Sequence, residues 1–188
     1  MKMSKVGYFG EFLVLPMLML IAIVLAFHSS SPPRPAIWAT VFGVGLICWT
    51  LIEYLVHRIV FHHAPILSRI HERHHQSPRE LIGTPAWASL LVGVIGIACP
   101  CWAALGFNLA TAATAGIFTG YLWYVFVHYT THHWQHHKPS YLYRARVRHA
   151  RHHHVSHRKN FGVTTSLWDH FFGTAFDPSM TVRRSEYE

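Results

Sequence analysis

Acidic residues are scarce: 188 residues carry eight Asp and Glu, and none lies between positions 81 and 167. That supply excludes the soluble di-iron plan, which needs Glu from several helices together with Glu-x-x-His motifs. Cysteine is nearly absent as well. Cys48, Cys99 and Cys101 all sit in apolar segments, so they offer neither a disulfide framework nor a thiolate zinc site and read as small core residues. Charged residues make up 13% of the chain, against about 25% in an ordinary soluble domain. There is no G-x-S-x-G, no P-loop and no dinucleotide fingerprint. The first apolar run has no convincing small-residue cleavage site and reads as a retained anchor rather than a leader.

What is there is apolar: 51% of the residues are hydrophobic, gathered in four stretches at about 7–27, 36–56, 86–105 and 109–127. Each is close to the ~20 residues a helix needs to cross a bilayer. "SSSPPRP" (residues 29–35) separates the first two as a non-helical turn, and "GFN" (residues 106–108) separates the last two as a tight connection with Asn108 as a cap. None of the runs has the polar face of a helix buried in a soluble protein. The expected fold is all-α, a four-span transmembrane helical bundle with a cytosolic histidine-rich helical cap, in one domain covering 1–188.

Charge sets the orientation. Lys2 and Lys5 precede the first span; Arg58, Arg69, Arg73 and Arg79 lie between the second and third; Arg144, Arg146, Arg148, Arg151, Arg158 and Lys159 follow the fourth. The opposite connections hold only Arg34. The positive-inside rule then puts both termini and the histidine-rich segments 57–80 and 128–175 in the cytoplasm. The net charge of +8 fits a face near anionic lipid, not a nucleic-acid surface.

Histidine is the outlier, with 18 in the chain. The clusters are "HRIVFH" (His57, His62), "HERHH" (His71, His74, His75), "HYTTH" (His128, His132) and "HARHH" (His149, His152, His153). Residues three and four apart share a helix face, so the triplets can converge and His128 pairs with His132. His74 and His75, like His152 and His153, are splayed by ~100° and suit two different ions. His57 and His62 do not share a face of a regular helix; they meet at one site if the helix bends, or address two ions. Ten imidazoles are what two metal ions need at five nitrogens each, and neutral imidazole suits iron, zinc, copper and nickel. His63, His133, His136, His137, His154, His157 and His170 lie off the repeated spacing and read as supporting, surface or structural residues. His28 reads as a cap of the first span. Glu53, one turn before His57, can orient that ring or pair with Arg58; Glu72 is expected to pair with a neighbouring Arg; Asp169 can hold a ligand imidazole or accept backbone N–H groups, with the structural role favoured.

The order "HRIVFH … HERHH … HYTTHH … HARHH", closed by "NFGVTTSLWDHFFGT" (residues 160–174), resembles the fatty acid hydroxylase superfamily of integral-membrane sterol desaturases and lipid hydroxylases, and within it the fatty acid 2-hydroxylase branch. The resemblance covers about residues 53–174. It implies two iron ions (or zinc in the purified protein) held by His57, His62, His71, His74, His75, His128, His132, His149, His152 and His153. It implies a reaction that uses dioxygen and external electrons to hydroxylate a C–H bond of a lipid drawn from the bilayer. Electrons are expected from a separate donor protein, a ferredoxin or a b-type cytochrome with its reductase, because no cytochrome domain precedes the first span. "WQHHKP" (residues 134–139) is a departure from the pattern. A carotenoid or sterol hydroxylase or desaturase of the same superfamily is the neighbouring reading.

Other classes fit less well. His71, Glu72 and His75 match a zinc-protease H-E-x-x-H letter by letter, which leaves three further clusters unexplained. A His-rich metal transporter would place polar ligands near the bilayer midplane, whereas the interiors of spans two, three and four hold no ionisable residue except Glu53 near an end. A membrane b-type cytochrome would need His pairs inside facing spans. The substrate path is expected to be mainly apolar, with Trp49, Trp87, Trp123 and Tyr124 lining it or marking the interface.

Overall fold

Helices account for the architecture of the computed structural model, which describes residues 2–177. A short α1 (Lys5–Phe9), capped by the Ser4 hydroxyl, leads into α2 (Glu11–Phe27). Helix α3 (Pro35–Leu55) starts on a proline, whose missing N–H costs nothing in a first turn, and continues without interruption into a π-helical turn, Val56–Phe61. Then come α4 (Pro65–Gln76), α5 (Ala86–Gly93), a second π-helical turn (Val94–Ala98), α6 (Cys99–His133), α7 (Tyr141–His154) and α8 (Leu167–Phe171). No strand occurs among the described residues; one isolated bridge joins Lys2 to Ile82. The all-α expectation therefore holds.

Three stretches are long and apolar enough to cross a membrane: Lys5–Phe27, Pro35–Phe61 and Ala86–His133. The last would be about 70 Å long if straight, at 1.5 Å per residue. It is not straight. Gly106 stands at φ 72°, ψ 163°, a conformation open to glycine and closed to most side chains, and the helix reverses there. Gly93 meets the Phe118 ring, and the Tyr121 hydroxyl donates to Ser89 Oγ at 3.0 Å, so the legs before and after Gly106 lie side by side. Asn108, expected as a cap, instead ties this turn to the 29–31 loop through bonds from its amide to Ser29 Oγ (3.2 Å) and Ser31 O (2.5 Å).

The bundle closes on small residues. A Cβ on Gly45 would lie 2.5 Å from the Ala113 carbonyl oxygen, Gly116 packs on the Phe42 backbone, and Gly120 packs on the Trp49 ring. Helix α3 and the second leg of α6 therefore touch backbone to backbone, as membrane helices do where lipid removes the hydrophobic drive between them. They run in the same direction and deliver their histidine-bearing ends to the same end of the bundle. The N-terminal segment is at that end too: Met3 N donates to Leu81 O at 2.8 Å, and Lys2 pairs with Glu80 at 2.9 Å.

Candidate metal centre

Ten histidines meet at this end in two groups of five. His57, His62, His71, His75 and His152 form the first; His74, His128, His132, His149 and His153 form the second. Within each, the ring nitrogens lie within 4.8 Å of one another. Local winding explains the sorting. The π-helical turn Val56–Phe61 winds i to i+5, which brings His57 and His62 together although a regular helix would separate them. On α4, His71 and His75 are one turn apart and serve the first group, while His74 points to the second. On α7, His149 and His153 serve the second and His152 the first. The triplets thus split rather than converge. Helices α4 and α7 each contribute to both groups, the π-helical turn that follows α3 only to the first, and α6 only to the second.

The nitrogens face one another. His57 Nε2 is 3.1 Å from His71 Nε2, His75 Nε2 is 2.9 Å from His71 Nε2, and His62 Nε2 is 3.2 Å from His152 Nε2; in the second group His132 Nε2 is 2.9 Å from His149 Nε2. The groups abut through stacked rings of His75 and His153, 4.0 Å apart. Hydrogen bonds can join such nitrogens only in pairs. Both nitrogens of His74 and of His153 are buried with no partner, a loss on the order of 1–3 kcal/mol for each unpaired group. A transition-metal ion with nitrogens at ~2.0–2.1 Å and angles of roughly 90–110° separates adjacent ligands by about 2.9–3.4 Å, which matches the observed spacing. The residues present fit a metal ion in each group.

Burial keeps the rings neutral, as ligation requires. Loss of solvent comes first and the neighbouring imidazoles second. Together they lower His62 and His74 to about 4 and hold His71, His149 and His153 well below the ordinary range. For His152, burial and nearby rings outweigh the Lys159 carbonyl, and the ring falls to about 3.

Glu53 does not touch His57. Its buried carboxylate accepts N–H bonds from Val163 (2.7 Å) and Thr164 (2.8 Å) and the Thr164 hydroxyl (2.5 Å). It therefore anchors the loop after α7, and that loop's Phe161 carbonyl accepts from His57 Nδ1 at 2.6 Å. Asp169, fully buried, accepts Phe161 N (2.9 Å), Gly162 N (2.8 Å) and the Thr174 hydroxyl (2.8 Å). Gly162 is required because a Cβ there would strike the Thr165 carbonyl. Glu72 accepts from Gln76 at 3.1 Å and forms no ion pair with an arginine among the described residues. Asn160 at φ 56° and the buried Tyr54, whose hydroxyl meets Thr174 at 2.9 Å, escaped sequence reasoning. So did the ligand-orienting carbonyls of Phe161 and Lys159, because a backbone carbonyl leaves no mark on residue identity.

The remaining histidines are peripheral. His157 donates to the His153 carbonyl at 3.0 Å with its ring 4.4 Å from His75; His136 bonds the Thr130 carbonyl at 3.2 Å; His133 stacks on Tyr129; His170 bonds Ser166 O at 2.7 Å; His28 closes α2 through Val24 O at 3.0 Å. On the bundle side the cluster rests on aromatics: Tyr124 stacks against His128 at 5.7 Å, and Trp49 packs behind it. Trp87 and Trp123 are exposed. A groove of about 510 Å³ beside α4, lined by Phe61, His62, His71, Arg69, Arg73 and Glu72 among others, reaches the first group.

A bundle of membrane-length helices with two five-imidazole groups at one end defines a membrane protein whose histidine clusters could each hold a metal ion. The chain belongs to the fatty acid hydroxylase family, whose model matches residues 42–174. It is 33% identical over 161 residues to the fatty acid 2-hydroxylase of Rattus norvegicus, covering 77% of this chain and 43% of that protein. It is 36% identical over 150 residues to the dihydroceramide fatty acyl 2-hydroxylase FAH2 of Arabidopsis thaliana, covering 71% and 60%. It is 32% identical over 162 residues to the ceramide very long chain fatty acid hydroxylase SCS7 of Saccharomyces cerevisiae, covering 78% and 41%. The chain thus spans about two fifths of the length of the first and last of these relatives. Among solved structures it shares the fold of full-length scs7p, in which only the hydroxylase domain is visible, at a TM-score of 0.79 and 24% identity over 92% of this chain and 67% of that one.

Proposed function

We propose that this protein is a membrane-embedded di-iron hydroxylase acting on the fatty acyl chain of a lipid. The observation that carries the reading is the pair of five-imidazole groups, neutral and mostly buried, at one end of an apolar bundle. When bound, the iron pair supplies activation of dioxygen. One oxygen atom enters the C–H bond as hydroxyl, the other leaves as water, and two electrons and two protons come from outside. The electrons come from a separate donor protein, a ferredoxin or a b-type cytochrome with its reductase.

The chain's own residues do the rest. His57, His62, His71, His75 and His152 hold one ion, and His74, His128, His132, His149 and His153 hold the other. Tyr124 and Trp49 keep water from the bilayer side of the cluster, where an acyl chain would lie, and Phe161 covers His57, His62 and His152 from the loop after α7. The names of the relatives make the carbon next to the acyl carbonyl the first position to examine.

The membrane reading follows the same lines. The two legs around Gly106 each have the length of one crossing, so with α2 and α3 the bundle crosses four times. The arginines of segments 57–80 and 144–158 share the histidine end, which faces the cytoplasm.

The test is expression in a host without acyl hydroxylase, grown under ¹⁸O₂, with His74→Ala as the inactive control. Lipids are hydrolysed and their hydroxy acids weighed. Hydroxy fatty acids carrying one ¹⁸O, absent from the control, are expected. Unchanged acyl chains beside hydroxylated sterol or carotenoid would move the substrate to the neighbouring reading. Unlabelled lipids of every kind, from metal-loaded protein, would overturn hydroxylation.

A further inference from the structure

The two histidine groups are served unequally by their surroundings. In the first, His57 donates Nδ1–H to the Phe161 carbonyl at 2.6 Å, and His152 donates Nδ1–H to the Lys159 carbonyl at 2.8 Å. Each bond fixes the tautomer that leaves the lone pair on Nε2, and those Nε2 atoms are the ones facing His71 and His62. In the second group no ring nitrogen meets a carbonyl or carboxylate among the described residues. His149 Nδ1 and both nitrogens of His74 and His153 are buried without a partner, against His75 Nδ1 alone in the first group.

A partner on the far nitrogen settles ring orientation before the ion arrives and makes the ligating nitrogen more basic; its loss typically lowers metal affinity by about 10–100-fold. Rings without one must settle tautomer and rotation at the moment of binding.

Both orienting carbonyls belong to the segment just after α7, and its geometry is imposed from outside the histidine groups. Asn160 stands at φ 56°. Its amide donates to Arg148 O at 3.3 Å, and its side-chain oxygen accepts Phe176 N at 2.9 Å. Asp169 accepts the N–H groups of Phe161 and Gly162 and is itself held by the Thr174 hydroxyl. No histidine side chain is among its hydrogen-bond partners.

We propose that the two metal positions are unequal. The group of His57, His62, His71, His75 and His152 loads first and more tightly, and the 159–174 loop sets that order, with Asp169 as a positioning residue. This rests on the two-metal reading above and adds an order of loading and its cause. Metal content is then graded: a protein short of metal carries one ion, in the first group, and is completed only when the second group fills.

The test is a titration of the full chain in detergent, stripped with chelator and loaded with Co²⁺, read by ligand-field absorption and by competition with Zn²⁺. Two steps separated by tenfold or more in Kd are expected. His62→Ala should delete the tight step and keep the weak one; His132→Ala should do the reverse. Asp169→Asn should weaken the tight step about 10–100-fold and leave the weak step within about twofold. If Asp169→Asn does not accumulate, Thr174→Val, which removes one donor to Asp169, should weaken the tight step in the same sense, and Thr174→Ser should restore it. Two indistinguishable steps, a tight step that survives His62→Ala, or a tight step untouched by the loop variants would overturn the inference. Binding of fewer than two ions would overturn the two-metal reading itself, which separates the two failures.

Discussion

Gly43 and Gly45 sit two residues apart on α3 and should respond to the same substitution in opposite ways. A Cβ on Gly45 would lie 2.5 Å from the Ala113 carbonyl oxygen, where ordinary contact begins at 3.4 Å, so Gly45→Ala must part α3 from α6 by about 0.9 Å. The obstacle is backbone and cannot rotate away. Overpacking of this kind costs about 1–3 kcal/mol, and the better helix propensity of alanine returns at most ~1 kcal/mol; a net loss of about 1–2 kcal/mol is expected. Gly43 has nothing within 4 Å of its Cβ position, so Gly43→Ala keeps the propensity gain and should be neutral or stabilising by up to ~1 kcal/mol. The consequence reaches the metal centre. The α3 end carries His57 and His62, α6 carries His128 and His132, and a displacement of about 0.9 Å exceeds the ~0.5 Å to which a working site must be held. Thermal unfolding of the two variants in one detergent, with metal content measured alongside, decides it. Equal melting temperatures and equal metal retention would refute the backbone-contact account of α3 against α6.

Glu53→Ala leaves the buried Val163 and Thr164 N–H groups without their acceptor, at about 1–3 kcal/mol each, whereas Glu53→Gln keeps an oxygen for both and should cost clearly less; denaturation of both variants checks the ranking. His74→Ala removes a ligand that its neighbours cannot replace without moving α4, so bound metal and product formation should fall together. His157→Ala removes only a bond to the His153 carbonyl and a ring beside His75, and should lose at most about 10–100-fold in affinity or activity; metal analysis of both membrane preparations tells them apart. For metal-free protein the pH dependence has a definite sign. His62 and His74 bind protons near 4 when folded and near 6.5 when unfolded, so between those values the unfolded chain holds more protons. Stability should be full above about pH 6.5 and decline as pH falls toward 4; a melting temperature that rises on acidification would contradict the burial of these rings.

Much of the fold was legible because its signals are one-dimensional. Apolar runs mark the membrane-length helices, the positive-φ Gly106 at which the chain reverses sits in "GFN", and the H-x-x-H-H spacing sends His74 and His75, or His152 and His153, to different groups. Where spacing arguments assume a regular helix they stop at the π-helical turn: His57 and His62 join one group through i to i+5 winding, which no residue between them announces. Glu53 shows a different limit. Sequence proximity puts it one turn from His57, but its carboxylate finds better donors 110 residues away in Val163 and 111 away in Thr164. Glu72 likewise takes its partner four residues on, Gln76, along the exposed face of α4. The loop after α7 stood out in the sequence through "NFGVTT", yet the bonds that orient His57 and His152 run through main-chain oxygens, which only the folded chain locates.

The most direct measurement is anomalous scattering from crystals of the iron- or zinc-loaded protein, collected on both sides of the metal edge. The account predicts two peaks per chain, one ringed by His57, His62, His71, His75 and His152 and the other by His74, His128, His132, His149 and His153, each at bonding distance from imidazole nitrogen. A single peak, or peaks away from these ten side chains, would contradict it.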